Sequence, residues 1–443
     1  MTPISQMVHK PLFALAFPMI ISNITVPLLG LVDTAVIGHL PHAYYLGASA
    51  VGAMIITFIT WLCGFLRMSS TGLSAQTLGK QDVAQSLQVL LRGLLVSLTI
   101  AIVFILAQSL YFDIAFFLAG GSAEIQHYGR EYAEIRIWGL PASLGSLVIL
   151  GWLLGQQQAR PVMWLLIITN LCNLVLDLLF VLGFNWGLQG VACATLIAEY
   201  LGFITGLAYI AHYIHRKVAI TIDISAMFSS IFKADKLKQY FALNRDILIR
   251  TLCLEVCFVF ITFQGARLGD EVVASNAILM NFVLLISFGL DGIANGAEAM
   301  VGKAHGANDN QQLKRVVDTS LLWTFIFALG YSLFFAFLGE QFIALISDIE
   351  SVRALASTYL PWIVILPILA CWCYLYDGIY VGLMQADVMR NSMIFSTFGC
   401  FFPAWYLLQS LGNHAIWGAF SIFMIARGLS LAWHFHNKSL SSE

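Results

Sequence analysis

PLFALAFPMIISNITVPLLGLVDTAVIG, from Pro11 to Gly38, is the stretch that decides the fold. It is long enough to cross a bilayer, which takes about 20 apolar residues. It also carries one acid, Asp33, and two internal prolines, Pro18 and Pro27. An ionised carboxylate at membrane depth costs roughly 2.5–3.5 kcal/mol, and a proline kinks its helix. The stretch therefore predicts a transmembrane helix with a charge-sensitive bend, although an acid that is merely paired inside a bundle would also fit.

The composition is that of a membrane protein. Of 443 residues, 59% are hydrophobic and only 10% are charged, whereas soluble domains carry about 25% charged residues. The net charge of −2 gives no reason to expect a nucleic-acid partner. The eight cysteines fall in apolar stretches, so neither a metal site nor a disulfide framework is expected. The first apolar run is too long for a cleavable leader, and none is expected.

Twelve apolar runs have the length of a membrane span. They are residues 11–38, 46–67, 87–108, 132–155, 161–183, 187–211, 241–264, 273–297, 317–338, 360–384, 391–409 and 414–435. The polar connector 212–240 divides an N-terminal lobe, 1–211, from a C-terminal lobe, 241–443. Most lysines and arginines flank one side if the N-terminus is inside, which predicts a multi-pass membrane protein with both termini in the cytoplasm.

Weak sequence matches relate the two halves of the chain. GQQQA at 155–159 resembles GLMQA at 382–386, LGK at 78–80 resembles VGK at 301–303, and Pro141 corresponds to Pro367. These and similar matches share separations of 223 to 228 residues. The shared separation predicts two copies of a six-helix unit. Because six is even, both copies cross in the same sense, related by an axis along the membrane normal, with a substrate path between them.

Polar side chains interrupt the apolar spans of the first half. They are Asp33 in span 1, Asn173 and Asp177 in span 5, and Thr195 in span 6. Asn173 and Asp177 are four residues apart and share one helix face. If Asp33 and Asp177 approach each other, they cannot both ionise cheaply. This is the composition of a proton site or of a small-cation site built from oxygen ligands, and a structural polar network that joins these spans is the third interpretation.

The second half carries acids of its own in the spans. They are Glu255, Asp291 and Asp377. These side chains fit a cation or substrate site, or structural pairing, and Arg250 is a candidate partner for Glu255 in the same span. Glu199 and Arg427 occupy matched positions in spans 6 and 12, where a salt bridge would require the two spans to touch. No phosphate-binding loop, metal-binding helix or nucleophile elbow is found, so no enzyme and no cofactor is expected.

The stretch from Pro18 to Leu40 resembles the first helix of the multidrug and toxic compound extrusion (MATE) transporters, in their DinF-like branch. FLRMSSTG at 65–72, the Asp291-Gly292 and Asp377-Gly378 steps, and MRNSM at 389–393 resemble that branch as well. The resemblance implies an all-α polytopic protein with twelve transmembrane helices in two six-helix lobes. It also implies the expulsion of drugs and organic cations in exchange for protons or sodium ions.

The resemblance further implies roles for individual residues. Asp33, Asn173, Asp177 and Thr195 would form the coupling site, and protonation of the helix-1 acid would favour bending at Pro18. Glu255 and Asp377 fall near second-lobe acids that are implicated in cation binding in other branches.

A proton-coupled drug antiporter is the leading functional hypothesis. A sodium-coupled antiporter is the second, and a flippase for lipid-linked precursors is the third, although mainly acidic buried charges argue against an anionic lipid cargo. The expected partners are small-molecule drugs, organic cations and membrane lipids, and the expected state is a monomer. No cofactor is needed, since a proton or sodium gradient would supply the energy.

Overall fold

The computed structural model is helical almost throughout. It describes residues 8–38, 44–120, 122–217 and 234–440, except for the side chains of 26–36, 38, 217, 234–237 and 438–440. No strand occurs among these residues. By length and composition alone, nine of the helical stretches described are apolar enough to cross a membrane. The prediction of an all-α polytopic membrane protein is confirmed.

Twelve helical segments can be followed through the described residues, and each overlaps one predicted span. In the first half they are α1 (His9–Gly38), α2 (Tyr44–Leu62, continued by Phe65–Gly79), α3 (Val83–Leu106), α4 (Ala123–Arg136, continued through Ile137–Gly139 by Leu140–Gly155), α5 (Ala159–Asp177, continued by a π-helical stretch, Leu178–Gly183) and α6 (Gly187–Lys217). A short helix, Gln108–Ala119, follows α3.

The second half repeats the series. It contains α7 (Ala234–Leu268), α8 (Asp270–Gly306), α9 (Asn310–Ile346), α10 (Glu350–Leu383), α11 (Ala386–Ile394, continued by a π-helical stretch, Phe395–Phe401, and by Phe402–Leu408) and α12 (Asn413–Leu440). Several helices are longer than the predicted spans. In α2 the helix runs to Gly79, past the predicted end at 67. Two of its hydroxyls donate to backbone carbonyls, Thr71 to Arg67 in the same helix and Ser74 to Trp152 on α4, each at 2.9 Å.

The turns of the two halves match in detail. Gln81 and Asn308, which follow α2 and α8, both have a φ of 57°. The next residue in each case, Asp82 or Asp309, accepts a 2.8 Å hydrogen bond from a backbone N–H three residues later and so caps the following helix. The separation of 227 residues (81 to 308) lies within the predicted range. The prediction of two pseudo-symmetric copies is confirmed.

Contacts divide the chain into two compact units. The first unit is Ile21–Tyr240, and the second unit comprises the residues up to Ile20 together with Phe241–Glu443. The division falls inside α1, shortly after Pro18, so the structure groups the start of α1 with the second half of the chain.

The start of α1 is fixed within the second unit by close contacts. The indole N–H of Trp323 on α9 donates to His9 Nδ1 at 2.9 Å, and the ring of Phe13 packs edge-on against the same indole. Gly292 on α8 lies so close that a Cβ there would be 3.1 Å from the backbone nitrogen of Ile20. Glycine at this position therefore allows the two helices to approach each other.

Candidate functional site

The predicted pair on α5 is formed. The amide nitrogen of Asn173 donates to a carboxylate oxygen of Asp177, and the two side chains are 2% and 0% exposed. A buried carboxyl group needs such a partner because burial removes the water that would otherwise solvate it. Asp177 is also the last residue before the π-helical stretch Leu178–Gly183, and such stretches occur frequently at functional sites.

The polar face of α5 continues towards α1. Asn170 Nδ2 donates to Thr25 Oγ1 at 3.0 Å, and Thr25 in turn donates to the carbonyl of Ser22 at 2.7 Å. Asn170, three residues before Asn173, shares its helix face. The sequence reasoning missed Asn170, although this spacing was a usable signal. The face therefore carries a row of amide and carboxyl groups that meets α1 within the first unit.

The other predicted members of this site have different outcomes. Asp33 belongs to α1, but its side chain lies outside the described residues. Thr195 Oγ1 donates to the carbonyl of Val191 in its own helix at 3.0 Å. Pro18 is buried, and α1 is helical on both sides of it. Membership of Asp33 and Thr195 in the coupling site, and the hinge at Pro18, stay predictions.

In the second unit, Asp377 on α10 pairs with two arginines. Its Oδ2 accepts from Nη2 of Arg250 on α7 and from Nη2 of Arg427 on α12, the latter at 2.6 Å. The predicted pairing of Arg250 with Glu255 is therefore wrong. A separation of five residues turns two side chains roughly 140° apart on a helix. Glu255 and Asp291 are half-buried on α7 and α8.

Glu199 is paired within the first unit. Both of its carboxylate oxygens accept from the guanidinium of Arg136 on α4, at 2.8 and 2.9 Å. Glu199 and Arg427, which occupy matched positions in the two halves, therefore have different partners, Arg136 and Asp377. Arg136, in the predicted span 132–155, is buried within α4. Sequence spacing gave no signal for this pair, since 63 residues separate its members.

A cavity of about 180 Å³ lies beside this ion pair, between α4, α5 and α6. Ser143, Thr169 and Glu199 supply polar groups to its lining, and Leu147 and Leu166 supply apolar surface. Thr169 donates its hydroxyl hydrogen to the carbonyl of Leu165 at 2.8 Å. Its oxygen is left as an acceptor, so this part of the first unit presents acceptors beside apolar surface.

The MatE family model matches this chain twice, over residues 18–179 and again over 247–407. The chain belongs to the MatE family. It is 43% identical over 429 residues to DNA damage-inducible protein F of Escherichia coli (strain K12), which covers 96% of this chain and 92% of that protein. It is also 24% identical over 335 residues to the probable multidrug resistance protein NorM of Rhizobium meliloti (strain 1021), covering 72% of this chain and 70% of NorM.

Solved structures of MatE proteins share the fold. A crystal structure of a MATE in the bent conformation superimposes with a TM-score of 0.88 at 19% identity, covering 98% of this chain and 96% of that one. An outward-facing multidrug resistance MATE transporter of the MOP superfamily has a TM-score of 0.87 at 18% identity, covering 98% and 97%.

Membership in the MatE family confirms the family resemblance and the twelve-helix, two-lobe fold. The two separate family matches, one in each half, agree with the internal repeat. The chain is thus a polytopic membrane transporter of a multidrug-efflux family, and the family assignment confirms that it is not an enzyme.

Proposed function

We propose that this transporter exports organic cations and other amphipathic compounds across a bacterial inner membrane in exchange for protons. The observation that carries the proposal is the buried Asn173–Asp177 pair on α5, on a face that reaches α1 through Asn170 and Thr25. In this proposal the chain acts as a monomer with both termini in the cytoplasm, and residues 1–211 and 241–443 serve as its two lobes.

The pair has the chemistry of a proton site. An amide donates to an ionised carboxylate through its NH₂ and accepts from a protonated one through its C=O, so Asn173 can stabilise Asp177 in both states. Asp33 on α1 and Thr195 on α6 complete the proposed site. A proton taken up there removes a buried charge, and α1 then bends at Pro18 and displaces the cargo.

The available energy is sufficient for such a switch. One elementary charge moved through 100 mV releases about 2.3 kcal/mol, and one pH unit adds about 1.36 kcal/mol. A two-state element whose states differ by a few kcal/mol is reset by this amount.

The ion pairs of the second unit support coupling in the first half. Asp377 is shared by two guanidinium groups, so a monovalent cation would have to compete with two arginines for its carboxylate. Asp177 accepts a hydrogen bond from the neutral amide of Asn173. We therefore assign the exchange of protons to Asp177 and Asp33, and not to Asp377.

The test is uptake of a fluorescent cation into inverted membrane vesicles, with proton and sodium gradients imposed separately. We expect uptake under a proton gradient alone and its loss in Asp177→Asn and Asp33→Asn. Asp113→Asn is the matched control, because Asp113 forms an exposed pair with Arg130 outside the polar face of α5. Uptake that follows only the sodium gradient would identify sodium, and not the proton, as the coupling ion. Uptake that is unchanged in both variants would refute the assignment of the site.

A further inference from the structure

The Arg250–Asp377–Arg427 cluster of the second unit has more hydrogen-bond donors than its own acceptor can use. A guanidinium carries five N–H donors. Asp377 accepts from one nitrogen of each arginine, through the single oxygen Oδ2. Within the described residues, the remaining hydrogen bond of the two guanidiniums runs from Arg427 Nη1 to the sulfur of Met424 at 3.4 Å. Nε of Arg250 and Nε of Arg427 are buried and make no hydrogen bond there.

Charge is also unevenly matched in this cluster. Two guanidiniums face one carboxylate, and Asp377 is the one acid within 4 Å of either guanidinium among the described side chains. The face of the Phe423 ring lies 5.3 Å from the Arg427 guanidinium and stabilises a cation. At membrane depth, an extra positive charge with unused N–H donors is costly unless an anion joins it.

The cluster is closed on one side and open on the other. The side chain of Arg427 is only 2% exposed, whereas those of Arg250 and Asp377 are 14% and 10% exposed. Arg427 is thus the buried side of the cluster, where it contacts Asp377, Met424 and Phe423. An approaching molecule would meet the guanidinium edge of Arg250, on α7.

We propose that this cluster binds the oxyanion of an amphipathic molecule, such as a carboxylate or a phosphate. The planar fork of a guanidinium matches two oxygens of such a group, and the partly exposed edge of the Arg250 guanidinium receives them. This inference rests on the proposed function, because it takes the chain to be an exporter of amphipathic compounds. It extends the cargo range from cations to anionic and zwitterionic amphiphiles.

The neighbouring acids Asp291 and Glu255 do not neutralise the second guanidinium of the cluster. Asp291 is half-buried on α8, and Glu255 is five residues from Arg250 on α7. Within the described structure, neither forms an ion pair with Arg250 or Arg427. Both acids disfavour a second anion nearby, so the oxyanion must approach from the exposed edge of Arg250.

Two fluorescent probes that share a dansyl group separate anion recognition from general binding. Dansylglycine carries a carboxylate and dansylcadaverine carries an ammonium group. Binding is measured by probe fluorescence on the purified full chain in detergent, without an ion gradient, so the result does not depend on proton coupling. We expect Arg250→Gln to weaken dansylglycine binding about tenfold, since it removes a charge-assisted contact, and to leave dansylcadaverine binding within about twofold.

Two further variants keep the test decisive. Arg250→Lys retains the charge but loses the planar fork, so we expect a smaller loss of dansylglycine binding, and this variant carries the test if Arg250→Gln does not fold. Arg245→Gln is the control, because Arg245 lies on the same helix but is largely exposed. The proposal is overturned if the wild-type chain does not bind dansylglycine, or if the Arg250 variants weaken both probes equally, as a purely structural role would.

The oxyanion could belong to a cargo or to a lipid head group, and one additional measurement separates these sources. Short-chain phosphatidylglycerol is added as a competitor, and transport of dansylglycine is followed in vesicles. Competition without transport identifies a lipid site, and transport identifies a cargo site. Failure of dansylglycine binding while a proton gradient still drives uptake of dansylcadaverine would refute this inference alone and leave the proposed function intact.

Discussion

The ion pair between Arg136 and Glu199 gives the sharpest stability prediction. Glu199→Gln removes the negative charge and leaves a guanidinium that is 10% exposed with only a neutral amide beside it. Breaking a fully buried pair by removing one partner costs roughly 3–5 kcal/mol. The Glu199 side chain is 20% exposed, which lowers the penalty, so we expect a loss of about 2–3 kcal/mol. For a unit of this size, that corresponds to a fall of roughly 5–10 °C in the melting temperature.

The assay is thermal unfolding followed with a thiol-reactive dye. Cys63, in the first unit, is free and buried, and it becomes reactive as that unit opens. The double variant Arg136→Gln/Glu199→Gln removes both charges and leaves two amides that can bond to each other. We expect it to recover at least half of the lost melting temperature, because no uncompensated charge remains.

The control for this cycle is the exposed pair of Asp113 and Arg130. Its side chains are 59% and 38% exposed, and surface pairs contribute about 0–1 kcal/mol. Asp113→Asn is therefore expected to change the melting temperature very little. The reasoning is refuted if Glu199→Gln melts like the wild-type chain, or if the double variant is destabilised as much as Glu199→Gln or more.

Three further predictions follow from local contacts. Asn276→Ala leaves the amide of Asn413, its reciprocal 2.8 Å partner, buried and unpaired, so we expect a loss of about 1–3 kcal/mol in the same thermal assay, with Asn281→Ala at an exposed position as the control. Gly151→Ala places a methyl group against Ser70, whose Cβ would be 3.0 Å away. We expect lower yield and a lower melting temperature for this variant because the backbones of α2 and α4 must separate. Asp82→Ala and Asp309→Ala remove matched helix caps, and each is expected to cost about 1 kcal/mol; clearly unequal losses would contradict the equivalence of the two turns.

The sequence predicted the helices and the repeat because both depend on local information. Apolar runs of spanning length define the helices, and turn residues such as Gln81 and Asn308 occur again at the same separation. The Asn173–Asp177 pair was also accessible, since residues four apart on a helix share a face. Asn170 was accessible by the same rule and was overlooked.

The ion pairs were not accessible from the sequence, because their partners lie on different helices. Arg136 and Glu199 are 63 residues apart, and Arg250 and Asp377 are 127 apart. A positive residue in an apolar run indicates that an acid must be near, but several acids fit that requirement. Packing decides among them. The division of contacts within α1 was missed for the same reason: the start of that helix is held by Trp323 and Gly292, far along the chain.

The repeat also shows which features of a duplicated unit persist. Glu199 and Arg427 occupy corresponding positions in α6 and α12 but carry opposite charges, and each is neutralised by a partner on other helices of its own unit. A cap or a turn can be preserved on its own, because its partners are a few residues away. A buried charge can change only together with its partner, so opposite charges at one position of the repeat require two separate networks. The acid of the first unit pairs with one arginine, whereas the arginine of the second unit shares its aspartate with another arginine. The two halves therefore share a fold but differ in the charges that are buried within it.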